Sequence, residues 1–264
     1  MSGAAMKQTA GAILTCTGGD QVLTQVSTIT ALLNGAYDGH VAISELLSHG
    51  DFGLGTFDHL DGEMILLDGE VFQILHSGAV VRPSPEATTP FAAVCEFQAK
   101  EHHSLPEGMT FNMYAKDEDR LLPTLNMFFA VRIDGCFSRV TARSVPRQEK
   151  PYPPLAEVAA QQSVFEFENI SGTIAGFRCP GYAGGINVPG YHLHFISDDR
   201  SCGGHVLEFT VDDAVAATDC DNGFAMMLPE DGLFYEPHAD ADQRATLQQI
   251  ERGKVDHAQV VMVR

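Results

Sequence analysis

The chain predicts an α+β fold, rich in antiparallel or mixed sheet with a few helices, and three observations carry that expectation. Short apolar and β-branched runs, punctuated by Asp-Gly and glycine-rich turns, recur through most of its 264 residues. Helical spacing shows in only three segments, and no internal repeat or low-complexity tract divides the sequence. With 44% hydrophobic and 19% charged residues the chain has an ordinary globular balance. It is long enough to bury a substantial core as one large domain or two intimate lobes.

Taken in order, residues 1–20 hold one basic side chain, Lys7, and a short apolar patch around Ala12-Ile13-Leu14. That is too weak for a secretory signal and reads as a poorly ordered extension before a unit spanning 21–264. Val22, Val26, Ile29 and Leu33 are spaced for one face of a helix over 21–35. A second short helix is expected over Ser44–Ser48, with Ser44 as its N-cap and Gly50 just past its end. Gly62–Leu67, Glu70–Leu75 and Ala79–Arg82 then form a meander with Asp68-Gly69 as the hairpin signal, and Phe91–Gln98 adds a strand. Phe128–Ile133 and Cys136–Arg143, separated by Asp134-Gly135, repeat the hairpin pattern. The proline-rich stretch within 146–160 is the expected crossing between lobes. Strands follow at Val164–Glu168, Thr173–Phe177 and near Phe224–Leu228, and a terminal helix runs from about Asp240 to Arg252.

The formal net charge of −19 disfavours nucleic acid and anionic membranes as partners. An anionic small molecule would need a local positive centre, which a divalent cation with one arginine would supply. No apolar run approaches the ~20 residues that cross a bilayer. Six well-separated cysteines without a CxxC pair read as reduced thiols of a cytoplasmic protein, although an even count also permits disulfides.

The most specific chemistry lies at His192-Leu193-His194 and His205. Residues two apart on a strand share a face, so His192 and His194 point the same way. A turn through Ser197–Gly204 leads into a second strand, and a symmetric hairpin centred between Asp199 and Arg200 sets His205 opposite His194. Three converging imidazoles with room for water or substrate have the composition of a catalytic zinc-type site. The other histidines, His59 and His103 included, read as hydrogen-bonded core or surface residues.

Two further blocks accompany this hairpin: Phe52-Gly53-Leu54-Gly55-Thr56-Phe57 with Leu60-Asp61-Gly62-Glu63-Met64, and Arg143-Ser144-Val145-Pro146-Arg147-Gln148. In order and spacing, the chain from about residue 22 onward resembles the alpha-acetolactate decarboxylases. The resemblance implies that His192, His194 and His205 hold Zn2+ or another divalent metal. It implies that Glu63, Arg143 and Glu251 act in the same pocket, with Thr56 and Arg143 beside the substrate. It further implies two closely packed α/β lobes, a homodimer, and conversion of 2-acetolactate to acetoin and CO2 without an organic cofactor.

The chemistry suits those residues. Acetolactate is a β-keto acid with a tertiary hydroxyl, so its ketone and hydroxyl oxygens can chelate one metal. A Lewis acid there stabilises the enediolate left when CO2 departs. Arg143 is a planar fork matched to a carboxylate. Glu63 or Glu251 can deliver the final proton if enclosure raises its pKa, while a nearby cation lowers it. Either glutamate serves equally well as a further metal ligand, and the sequence leaves these roles open. Two rivals remain. A cupin-like metal dioxygenase or isomerase also begins from HxH, but its glutamate follows the second histidine closely and its last histidine lies much farther on. A non-enzymatic hydroxy-acid-binding protein would close the metal's coordination with Glu63 or Glu251.

Overall fold

The computed structural model describes residues 16, 21–99, 101–236, 247, 250–251 and 260–263. The first sheet-forming stretch comprises β1 (Val22–Val26), the short helix α1 (Ile29–Leu33), β2 (Val41–Ala42), α2 (Ile43–Leu46), β3 (Phe52–Thr56), β4 (Glu63–Leu67), β5 (Glu70–Ile74), β6 (Val80–Val81), β7 (Thr88–Thr89) and β8 (Ala92–Cys95). A second stretch contains β9 (His102–Leu105), α3 (Phe111–Leu121), β10 (Phe128–Ser144), α4 (Leu155–Ala159), β11 (Ser163–Cys179), β12 (Gly190–Ser197) and β13 (Gly203–Asp221). β14 (Gly223–Met227) and β15 (Val260–Val263) follow. The result is sheet-rich α+β, as expected.

One sheet has the order β14-β1-β8-β3-β4-β5-β6, antiparallel except where β14 lies parallel to β1. The other runs β10-β11-β12-β13-β9, and β10 also pairs with β13, closing a four-strand circuit. Between the sheets lies an apolar layer that includes Phe52, Leu54, Ile65, Ala175, Phe177 and Ile196. A separate cluster under α1 and α4 joins Tyr37, Leu60, Phe91, Val145 and Leu155 to Leu247 and Ile250.

Several elements differ from the sequence expectation, each for a local reason. The 21–35 segment is half strand: β1 is a central strand covered on both faces, so it lacks the alternation that marks a half-buried one. Ser27, at φ 58°, breaks the chain, and Thr28 then caps α1 by accepting from Ala31 N–H at 3.1 Å. The second helix starts one residue earlier than expected, so Ser44 is inside it and makes no cap. Asp134-Gly135 is not a turn. β10 passes straight through it, paired on both edges with β11 and β13. Gly135 is required because a Cβ there would meet the Asp213 carbonyl at 2.2 Å, and nearby register shifts bend the strand instead. The strands expected at 164–168 and 173–177 likewise merge into β11.

The proline-rich stretch leaves β10 and returns as β11, with Ser144 opposite Ser163, so both of its ends belong to one sheet. The chain leaves the first sheet after β8 and enters the second at β9. Cys16 and Cys220 form a disulfide with Cα atoms 5.5 Å apart, which corrects the expectation of six thiols. The expected terminal helix lies mostly outside the described residues, but Leu247, Ile250 and Glu251 are helical. Among the described residues no helix is long and apolar enough to cross a membrane.

Candidate active site

β12 carries His192 and His194 on one face, and the turn after Ser197 returns the chain as β13. Asp199 holds that turn by accepting from the Ser197 and Ser201 hydroxyls, each at 2.7 Å, while Arg200 takes the positive-φ position. The register pairs His194 with His205 across β12 and β13, and His205 in turn with Arg143 across β13 and β10. The first sheet contributes the facing pair Thr56 and Glu63 from β3 and β4. A hydrogen bond from His194 Nδ1 to the Met64 carbonyl, 2.7 Å long, joins the sheets and fixes Nε2 as the free lone pair. Glu251 enters from the terminal helical residues, completing a pocket of about 420 Å³ that includes its open mouth.

All seven residues singled out in the sequence line this one cavity. The histidine ring centroids are 4.9–5.4 Å apart, and one nitrogen from each ring lies within 4.8 Å of the others. Glu63 Oε2 is 3.6 Å from His194 Nε2, and Glu251 Oε2 is 3.6 Å from His205 Nε2 and 3.9 Å from His192 Nε2. Arg143 lies between the carboxylates, with nitrogens 3.6 Å from Glu63 Oε1 and 3.9 Å from Glu251 Oε1. These separations exceed hydrogen-bond length. Accordingly His194 Nε2, His192 Nδ1, Glu63 Oε1, Glu251 Oε2 and Arg143 Nε are buried without a hydrogen-bond partner.

Buried orphans on this scale mark a ligand-binding site. The donor set fits a divalent cation. Burial pushes the His192 imidazole down to about 3 and holds those of His194 and His205 far below their usual range, with Arg143 adding repulsion. The rings are therefore neutral and able to ligate. Burial also lifts the carboxyls of Glu63 and Glu251 from 4.5 to about 7, outweighing the attraction of Arg143. Thr56 is differently engaged: its hydroxyl donates to the Gly62 carbonyl at 2.7 Å, leaving it only acceptor capacity for a ligand.

The cavity has a second half that the sequence did not single out. Ile29 and Leu32 from α1, Leu60, Phe91, Val145 and Leu155 from α4 form an apolar wall facing the polar groups. Such residues carry no chemical signature, and only their convergence identifies them.

Comparison with known proteins identifies the family. The sequence profile of the family described as alpha-acetolactate decarboxylase matches residues 23–240, which include every site residue except Glu251. The alpha-acetolactate decarboxylase of Methanosarcina mazei is 51% identical over 231 residues, 88% of this chain and 80% of that protein. That of Methylococcus capsulatus is 43% identical over 232 residues, 88% of this chain and 89% of that one. The crystal structure of alpha-acetolactate decarboxylase from Bacillus subtilis strain 168 superposes with a TM-score of 0.85 at 39% identity, covering 88% of this chain and 99% of that one. The chain belongs to the alpha-acetolactate decarboxylase family.

Proposed function

We propose that the protein converts 2-acetolactate to acetoin and CO2, with a divalent cation, zinc by the character of its donors, held by His192, His194 and His205. The observation that carries this reading is the set of three neutral, buried imidazoles beside one guanidinium and two enclosed carboxyls. When bound, the cation supplies Lewis acidity for the negative charge that develops on substrate oxygens as CO2 leaves.

The chain's own residues supply the rest. With one glutamate ionised and the other holding the proton it delivers, the carboxylate and the guanidinium cancel, so a divalent cation makes the cluster positive and draws in a monoanionic substrate. Arg143 offers an unpartnered Nε and only loose contacts to the glutamates, so its fork can turn to a substrate carboxylate and orient the bond that breaks. Glu63 and Glu251 are the available proton carriers. Enclosure favours their neutral forms, and one of them delivers a proton to a single face of the enediolate to give one enantiomer of acetoin. Thr56 accepts from the tertiary hydroxyl. The apolar wall takes the methyl groups and keeps water from the reacting carbon. The homodimer implied by the family resemblance draws support from β14, a sheet-edge strand on which Phe224 and Met226 are exposed. Cytoplasmic residence remains part of the reading, although the Cys16–Cys220 disulfide is a bond that oxidising compartments favour.

The test is incubation of purified, zinc-loaded protein with racemic acetolactate, following acetoin by chiral chromatography before and after chelation. One enantiomer is expected, lost on chelation and restored by zinc. Metal-loaded protein that forms no acetoin overturns the reading.

A further inference from the structure

The turn that delivers Glu63 is strained and is held from outside the cavity by side chains that touch none of the reacting groups. His59 and Leu60 have φ of 64° and 55°, and Gly62 has 77°. Successive left-handed residues that are not glycine persist only where their surroundings over-determine them. On its inner side the turn presents Leu60 to the cavity. On its outer side it presents His59, whose Nδ1 lies 2.7 Å from the Tyr152 hydroxyl. That hydroxyl donates to Asp38 Oδ1 at 2.8 Å, so it accepts from His59. Asp38 is held in turn by Lys150 Nζ at 2.8 Å, and His59 Nε2 lies 3.2 Å from Asp58.

Tyr152 belongs to the segment 146–154, which starts three residues after Arg143. The same segment reaches the turn twice more, through Gln148 N–H donating to the His59 carbonyl at 2.8 Å and Arg147 lying 3.5 Å from Asp61. The stretch before Glu63 and the stretch after Arg143 are therefore fastened together on the outside, while the two side chains face each other at 3.6 Å on the inside.

We infer that His59 and Tyr152 are positioning residues, whose hydrogen bond locks the 57–62 turn to the 146–154 segment so that Glu63 and Arg143 meet the substrate in one geometry. The kinetic consequence rests on the decarboxylase reading; the structural one does not. Tyr152→Phe isolates the hydroxyl, because the ring and its packing on Tyr37, 5.2 Å between centroids, are retained. In the zinc-loaded full chain this variant is expected to lose about tenfold in kcat with KM within about twofold, because small displacements of placed groups act on the chemical step. The minor enantiomer of acetoin should rise with it. Amide exchange at residues 59–62 and 148 should quicken by about tenfold or more relative to the β10 core. Asp38→Asn keeps an acceptor for the hydroxyl and is expected to retain most of the wild-type behaviour, and Lys150→Met to leave it unchanged. Wild-type kcat and product handedness in Tyr152→Phe overturn the kinetic role. Unchanged exchange at 59–62 and 148 overturns the lock itself, whether or not the wild type makes acetoin. Should Tyr152→Phe not fold, His59→Asn, which tolerates a left-handed backbone but is too short to reach Tyr152, provides the same readouts.

Discussion

Glu251 apart, the polar and apolar halves of the cavity are built from different kinds of structure. Thr56, Glu63, Arg143, His192, His194 and His205 stand on strands whose neighbours fix them rung by rung. Ile29, Leu32 and Leu155 come instead from helices of five residues, and Leu60 comes from a turn. Helices that short have no independent stability and are held by what they pack against. The contrast teaches where accuracy is needed. Ligating and charged groups must be placed within a fraction of an ångström, and a sheet does that well. A wall that excludes water and admits methyl groups tolerates looser supports.

The sharpest way to break the polar half is His194→Ala. We expect metal retention and acetoin formation to be abolished while the chain still folds, as read by elemental analysis, activity and circular dichroism. Full activity in the metal-free variant would remove the metal from the account. Arg143→Lys comes next, since an ammonium cannot reproduce the fork. A loss of about a hundredfold in kcat/KM is expected with little change in Tm, by analogy with removal of one preorganised donor; unaltered steady-state kinetics would refute the role.

A third experiment compares chelated with metal-loaded protein across pH. In the chelated protein the folded-state pKa of both Glu63 and Glu251 is raised from 4.5 to about 7. Through these two groups the native state binds more protons than the unfolded one between those values, so their contribution to stability falls as pH rises through that window, while the three histidines, neutral in loaded and chelated protein alike, act equally on both forms. A bound cation favours the carboxylates and opposes this slope. The Tm gap between loaded and chelated protein should therefore widen from about pH 5 to about pH 8. A gap that narrows over this range would show that burial does not dominate at these glutamates. The smallest catalytic effect is expected in the apolar half: Leu155→Ala should cost about 2 kcal/mol of stability, the low end for a leucine whose short helix can relax. Its kcat/KM should change by less than about tenfold, with improved relative use of a substrate bearing one extra methylene. A loss as large as that of Arg143→Lys would dissolve the distinction between the halves.

The polar half was legible because its signals are local and chemical. Histidines at i and i+2 must share a strand face, and a symmetric turn then dictates that His205 faces His194. The long strands were not legible at Asp134-Gly135, because that pair signals a turn, whereas here the glycine answers a backbone approaching from β13. β1 was hidden by apolar spacing that a helix and a doubly covered strand share. His59 and Tyr152 gave no warning, since 93 residues separate them and only the fold brings them together. For the same reason the Cys16–Cys220 pair could not be assigned from spacing, being 204 residues apart.

His194, His205 and Arg143 lie on consecutive rungs of one transverse line, within a circuit of four strands that closes on itself. Displacement along a β-ladder comes only in whole residues, and each step inverts the facing of every side chain. In a ring, moreover, no single strand can move without all the others. The register of that line therefore has no gradual route to disrepair: parity protects it, and a slipped strand would turn its side chain away altogether.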